Sequence, residues 1–288
     1  MKPLHRLYAD FLMPERLQIY AGLLGTARAN GYVPVTMSQF LDQIRRGITA
    51  SQRLLVMRHD IDTDPEIVPS LLAIEQQFDV RATYYFRVTT ALRTSIDAVV
   101  ANGSEASYHF EEVATVAKLH GLRDPLALRA RWPEIEALFH QNTTRFAAAF
   151  GVTPRIVASH GDFVNRALGI TNAEILQNAD LRADLGIEAE VYDAAFSGAI
   201  AARFSDRPYP QWWAGGDPLA SLKAGQPVVY ILLHPRHWRS RPFSNVMDDG
   251  QRAFEGTLFK ARRPNPRARR YIAQPIQSSG ARGGTTAG

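Results

Sequence analysis

Two hydrophobic periods alternate along this chain. Leu17, Tyr20, Leu23, Leu24 and Ala27 recur at spacings of three and four, so they share one side of a helix expected over 14–29. A second helix is expected after Thr36, through SQFLDQI. The next apolar run, Leu54 to Met57, is short and unbroken and reads as a strand. Pro65 stands where a first helical residue would, and a helix follows through LLAIEQQF. ATYYF, ending at Phe86, is rich in β-formers; a helix over 95–101 then closes at the Asn102-Gly103 turn. EASYH follows as a short strand, and 126–150 reads as one long helix with Pro133 as a potential break. RIVAS, GIEAEVY, AARFS and PVVYILL complete the strands, the last being apolar throughout, as burial on both faces requires. Strands and helices alternate about seven times. That pattern predicts a parallel α/β fold, barrel or open sheet, in a single domain over 1–260.

Composition narrows the chemistry. The 288 residues are 45% hydrophobic, enough for a substantial core. There is no cysteine, which excludes disulfides, thiolate ligands and a cysteine nucleophile. The first residues, MKPLHRLYADFLMPERLQ, are interrupted by charges and Pro14, so neither a signal peptide nor a membrane span is expected, and a cytoplasmic protein is the default. The net charge of +5 is local: six arginines and no acid lie beyond Ala261, and the remainder is close to neutral. The segment 261–288 is therefore expected to be a basic, disordered, solvated tail and not a nucleic-acid arm.

The candidate chemistry sits at strand ends. Four of the eight histidines end strand-like runs: His59, His109, His160 and His234. In parallel α/β folds those ends gather on one face, where sites are built. Asp60 and Asp62, two apart in an extended segment, point the same way, with His59 and Ile61 opposite. Two carboxylates so close cannot both stay charged and unpaired in a dry pocket. A divalent cation would neutralise one and leave the other as a base. Asp64, before Pro65, reads as a helix cap.

At these residues the chain resembles the polysaccharide deacetylases of carbohydrate esterase family 4, in a divergent bacterial branch. Asp60 and Asp62 match its D-x-D motif, and YHFEE supplies His109, with Val113 where the family has a second histidine. RIVASHGDF takes the place of its R-x-P-Y-G motif, and VYILLHPRHW matches its histidine-ended strand. Tyr192-Asp193 and Ser205-Asp206 extend the likeness, which spans 53–238. The resemblance implies a distorted (β/α) barrel of about seven strands that removes acetyl groups from sugars with a divalent metal, commonly Zn2+. It implies Asp60 as general base, His234 as general acid, and Asp62 and His109 as ligands. The third ligand is expected to be His160, which also ends a strand, or Glu112 on the following turn. His237 is expected to be dispensable, and a backbone N–H near Gly161 to help hold the oxyanion. The implied substrate is an acetylated sugar precursor of a surface polysaccharide. A hydrolase of non-sugar amides and a metal-free, non-catalytic relative are the alternatives.

Overall fold

The computed structural model describes residues 3–49 and 51–273. Its strands are β1 (Val33–Val35), β2 (Leu54–Ile61), β3 (Thr83–Phe86), β4 (Glu105–Phe110), β5 (Ile156–Ser159), β6 (Ala189–Glu190), β7 (Ala202–Asp206), β8 (Trp213–Ala214) and β9 (Val228–Leu233). They form one sheet in the order β6-β5-β4-β3-β2-β9-β7-β8, with β1 beside the start of β2. All pairings are parallel except β7 with β8. Three strand spacings separate β5 from β2, roughly 14 Å in a flat sheet. Yet His160, just past β5, has its Nδ1 3.0 Å from Asp62 Oδ1, just past β2. The sheet is therefore curled into an open barrel, the distorted (β/α) barrel expected from the sequence. Its additional strands are short: β1 has three residues and β8 two, too few to show a hydrophobic period.

The helices are α1 (Pro3–Leu7, continued by a π turn over Tyr8–Leu12), α2 (Leu17–Ala29), α3 (Met37–Arg46), α4 (Val68–Gln77), α5 (Arg93–Ala101), α6 (Glu112–His120) and α7 (Pro125–Arg129). They continue as α8 (Trp132–Phe150), α9 (Phe163–Leu168), α10 (Ala179–Asp184), α11 (Ala194–Ala199), α12 (Pro218–Lys223) and α13 (Pro242–Lys260). No helix among the described residues is long and apolar enough to cross a membrane. The expected helix over 126–150 is two, α7 and α8. The break precedes Pro133, which sits in the first turn of α8, where its missing N–H costs nothing.

Strand β2 organises the core. It is buried throughout, and its side chains alternate. Leu55, Met57 and Ile61 join the outer cluster under the helices. Leu54 and Val56 face the barrel interior with Phe40 of α3, Phe196 of α11 and Tyr230 of β9. Phe40 and Phe196 stack with centroids 5.7 Å apart and plug the lower barrel. Thr36 starts α3 with a capping box: its side chain accepts from Gln39 N–H (3.3 Å), while Thr36 N–H donates to Gln39 Oε1 (3.0 Å). Above this apolar layer the inner face of β2 turns charged, at Arg58 and Asp60.

Two expectations are corrected here. Asp64 caps nothing with its side chain; it sits at a positive φ of 50° and accepts from Arg239 (2.8 and 3.0 Å) and Arg241 (2.5 Å). The segment after Ala261 is not a loose tail over its first part. Residues 266–271 form a 3₁₀ turn against α6, burying Ala268 and Tyr271. Asn265 N–H donates to the Lys118 carbonyl (2.9 Å). Asn142 accepts from Ala273 N–H (2.8 Å) and donates to the Tyr271 carbonyl (3.1 Å). A segment poor in apolar residues docks because its backbone is satisfied by side chains and one tyrosine is buried. The rest of the expected tail, 274–288, lies outside the described residues.

Candidate functional site

Three of the four strand-end histidines converge. Asp62 Oδ1 lies 3.2 Å from His109 Nε2 and 3.0 Å from His160 Nδ1, and those two nitrogens are 3.3 Å apart. His109 comes from β4, whose alternation sends Tyr108 and Phe110 to the outer core and the imidazole inward. Its Nδ1 is 2.9 Å from the Ala158 carbonyl. A carbonyl only accepts, so Nδ1 carries the hydrogen and Nε2 presents a lone pair to Asp62. His160 is steadied through its backbone: its N–H donates to the Phe110 carbonyl (2.8 Å) and its carbonyl accepts from Asn172 (2.6 Å). Asp62 Oδ1 is buried and has no hydrogen-bond partner despite the two rings beside it. Burial alone would raise the Asp62 pKa; only as protonated rings do His160 and His109 hold it well below the usual carboxylate range, whereas a neutral His109 turns a lone pair to it. One carboxylate oxygen and two imidazole nitrogens gathered within reach of one another could hold a divalent cation, and zinc accepts such a set with a position left open.

Asp60 faces the same way and is engaged differently. Arg58, two residues earlier on the same face of β2, grips it with two buried hydrogen bonds, Nε to Oδ1 (2.6 Å) and Nη2 to Oδ2 (2.7 Å). Arg58 also donates to Tyr230 OH (3.1 Å) and lies over the rings of Tyr85 and Tyr192. Asp60 Oδ2 is 3.5 Å from His109 Nε2 and 4.0 Å from His234 Nε2, between the ligand cluster and the histidine that ends β9. His234 is held by Asp206, at the end of β7: Nδ1 is 2.6 Å from Oδ1, and the His234 N–H donates to Oδ2 (2.7 Å). Trp238, fully buried, donates its indole N–H to the same Oδ2 (2.7 Å). Burial opposes a charged ring at His234, but Asp206 outweighs it and the pKa is raised to about 9. The His237 Nδ1 is 3.1 Å from Asp206 Oδ1 without forming a hydrogen bond.

The remaining expectations divide. His59 points away from the site, into a buried network where Glu75 meets His59 (2.7 Å), Tyr20 (2.6 Å) and Tyr84 (2.9 Å). Glu112, the alternative third ligand, is on the outer side of the sheet. It accepts from Tyr108 (2.5 Å) and Asn142 (2.8 Å), burial raises its pKa to about 7, and it is not among the groups whose donor atoms gather with Asp62. Asp193 pairs with Arg182, leaving Asp206 as the partner of His234. Arg58 escaped the sequence reading, although the two-residue rule that pairs Asp60 with Asp62 places it on the same face. Lys118 escaped it too. This buried lysine reaches Asp162 Oδ2 (2.6 Å) and Glu255 Oε2 (3.0 Å), and Tyr271 donates to Glu255 (2.9 Å). Asp162 is two residues past His160 and caps α9, so Lys118 ties the loop that carries His160 to α13 and the docked C-terminal turn.

The two groups open into one cleft of about 1230 Å3. Asp62, His160, Gly161, Asp206 and His234 lie on its wall, with Tyr271 from the C-terminal turn.

Neither a family model nor a curated protein matches the sequence. Some solved structures are similar to it in fold. One is a CE4 family pseudoenzyme from Bacillus anthracis, 14% identical over 74% of this chain and 62% of that one, with a TM-score of 0.39. The chain thus spans a little under two thirds of that protein. The Streptococcus pyogenes deacetylase PplD, solved with acetate, is 11% identical over 86% of this chain and 92% of its own, with a TM-score of 0.45. IcaB from Ammonifex degensii is 15% identical over 80% and 90%, with a TM-score of 0.44.

Proposed function

We propose that this chain is a divalent-metal-dependent hydrolase that removes the acetyl group from an N-acetylated sugar. One observation carries the reading: Asp62, His109 and His160 aim three donor atoms at one point, with Asp62 Oδ1 buried and unpartnered, and a second carboxylate and the histidine held by Asp206 flank them. The motif order that resembles carbohydrate esterase family 4 supports the same assignment.

Asp62, His109 and His160 would hold the ion. A bound cation of the zinc type supplies a Lewis acid for the acetyl carbonyl and acidifies a water. The chain supplies the proton traffic. Asp60 accepts the proton of the attacking water on Oδ2, the oxygen nearest His109, while Arg58 keeps the carboxylate in one orientation. His234 carries its exchangeable proton on Nε2, because Nδ1 is committed to Asp206, and delivers it to the leaving nitrogen. Its raised pKa keeps it protonated at neutral pH. Gly161, next to His160 on the cleft wall, would lend a backbone N–H to the oxyanion. The cleft exceeds the roughly 300–1,000 Å3 of ordinary small-molecule pockets and suits an extended polar substrate, in keeping with a surface polysaccharide or its precursor.

The test measures zinc content and acetate release from N-acetylglucosamine oligomers in parallel. Stoichiometric metal with release that ceases on chelation and returns with zinc is the expected result. Protein that binds no divalent metal at near-millimolar supply overturns the reading.

A further inference from the structure

Most of the large apolar side chains left in solvent sit on two helices that touch. On α1 and its π turn they are Leu4, Leu7, Phe11 and Leu12; on α13 they are Phe243, Val246, Met247 and Phe254. The least covered, Leu4 and Phe243, are 78% and 81% exposed. In each helix these positions fall at helical spacing and form a stripe. The inward faces are separate: Ala9, Asp10 and Met13 on the first, Asn245, Glu255 and Phe259 on the second, are buried. Both helices thus carry an apolar stripe that the rest of the described fold leaves exposed. They are held together by polar contacts beneath it. Asn245 donates to the Asp10 carbonyl (3.4 Å), Arg6 Nε to Asp249 Oδ2 (3.0 Å), and Arg236 to Asp10 (2.9 Å) and Asp249 (3.0 Å).

The charge that flanks the α13 stripe at its C-terminal end is positive, while Asp10 and Asp249 beneath the stripes are already paired with arginines. The guanidinium of Arg267 lies 4.9 Å over the Phe254 ring, joining the arginine-rich turn to the end of the α13 stripe. Arg262, Arg263, Arg267 and Arg269 form no ion pair among the described residues. Asp249, by contrast, is already engaged by Arg6 and Arg236. A second copy of the chain would bring arginine against arginine in a two-fold pairing. A surface combining an apolar boundary with phosphates satisfies both features at once: aliphatic and aromatic side chains enter the acyl boundary while arginines meet the headgroups. We propose that the face formed by α1 and α13, with the adjacent arginine-rich turn, docks on an anionic membrane surface. It does so by lying on the bilayer, without spanning it. Because Ser244, Asp248 and Arg252 on α13 also line the cleft, docking sets the cleft beside the headgroup layer. The proposal does not depend on the chemistry carried out in the cleft.

The experiment is co-sedimentation of the full chain with vesicles of phosphatidylcholine alone and of an equal mixture with phosphatidylglycerol. The chain is expected to pellet with the mixture, less so as salt rises, and to stay in solution with phosphatidylcholine. The double substitution Phe243→Ser, Met247→Ser should weaken binding at least about tenfold. Arg267→Gln and Arg269→Gln should each weaken it about fivefold. The substituted positions are exposed, and thermal unfolding of each variant checks that the fold is kept. Failure of the wild type to bind the mixed vesicles overturns the proposal, as does binding that the serine variants leave unchanged. A dimer in sedimentation equilibrium that the serine variants dissolve, without vesicle binding, would assign the face to a second copy and overturn it equally.

Discussion

Two clusters in this molecule have the same composition, one aspartate and two histidines, and opposite character. Asp62, His109 and His160 leave a carboxylate oxygen buried with no hydrogen-bond donor. Asp206, His234 and His237 surround a carboxylate that already accepts from an indole N–H, a backbone N–H and an imidazole. The difference lies in where the second nitrogen of each ring goes. His109 spends Nδ1–H on the Ala158 carbonyl, so its lone pair faces Asp62. His234 spends Nδ1–H on the aspartate itself, so what it turns toward Asp60 is an N–H. The first arrangement leaves lone pairs and a bare carboxylate oxygen, as the proposed cation requires, and the second leaves an N–H, as the proposed acid requires. Residue types alone do not distinguish a ligand set from an acid; the third partner of each ring does.

The largest expected effect separates the clusters by metal content. Asp62→Asn and His109→Ala should abolish stoichiometric zinc binding and with it activity, whereas Asp206→Asn should retain the metal. Equal metal in all three proteins, measured by elemental analysis after dialysis, would erase the distinction. Next, Asp60→Asn should keep the metal and lower turnover by ~10²–10⁴-fold, the range of a lost general base; an unchanged kcat removes Asp60 from that role. Then comes the ligand loop. Lys118→Met releases Asp162 and should weaken zinc binding by about 10–100-fold, as outer-shell changes do, with partial rescue by Lys118→Arg. Deletion from Ala261 removes Tyr271 from the same network and should act in the same direction, with a lower thermal midpoint. A metal-binding titration that gives wild-type affinity for both proteins shows that the loop holds itself.

The smallest effects lie in the second cluster. His234 needs its proton, and Asp206 holds that proton against the cost of burial, to about pH 9. Activity should therefore fall as pH rises through that value, or through a lower one with a cation bound nearby. Asp206→Asn takes away the charge that raises the pKa, so the basic limb should move to lower pH. A limb that stays in place in the kcat/KM profile would mean that another group supplies the proton. His237→Ala should change kcat by less than about tenfold, since His237 forms no hydrogen bond to Asp206.

Much of the site was legible because it rests on local periodicity. The two-residue repeat of an extended segment is enough to put Asp60 and Asp62 on one side of β2 and His59 on the other. An apolar run that ends abruptly in His234, or a β-rich one in His109, marks a strand leaving the core at the functional rim. What stayed hidden depends on partners far away in sequence. Its place at a strand end favours His160 over Glu112 as third ligand, but only the curl of the sheet brings the end of β5 to Asp62, while the start of α6 turns Glu112 to Tyr108 and Asn142. The C-terminal turn looked unfoldable by composition, and docks because Asn142 and the Lys118 carbonyl satisfy its backbone. Local periodicity is written in neighbouring residues and survives in the bare sequence. Which imidazole nitrogen is free, which carboxylate is saturated and which arginines remain unpaired are set by contacts between strands and helices tens of residues apart, and exist only once the chain has closed on itself.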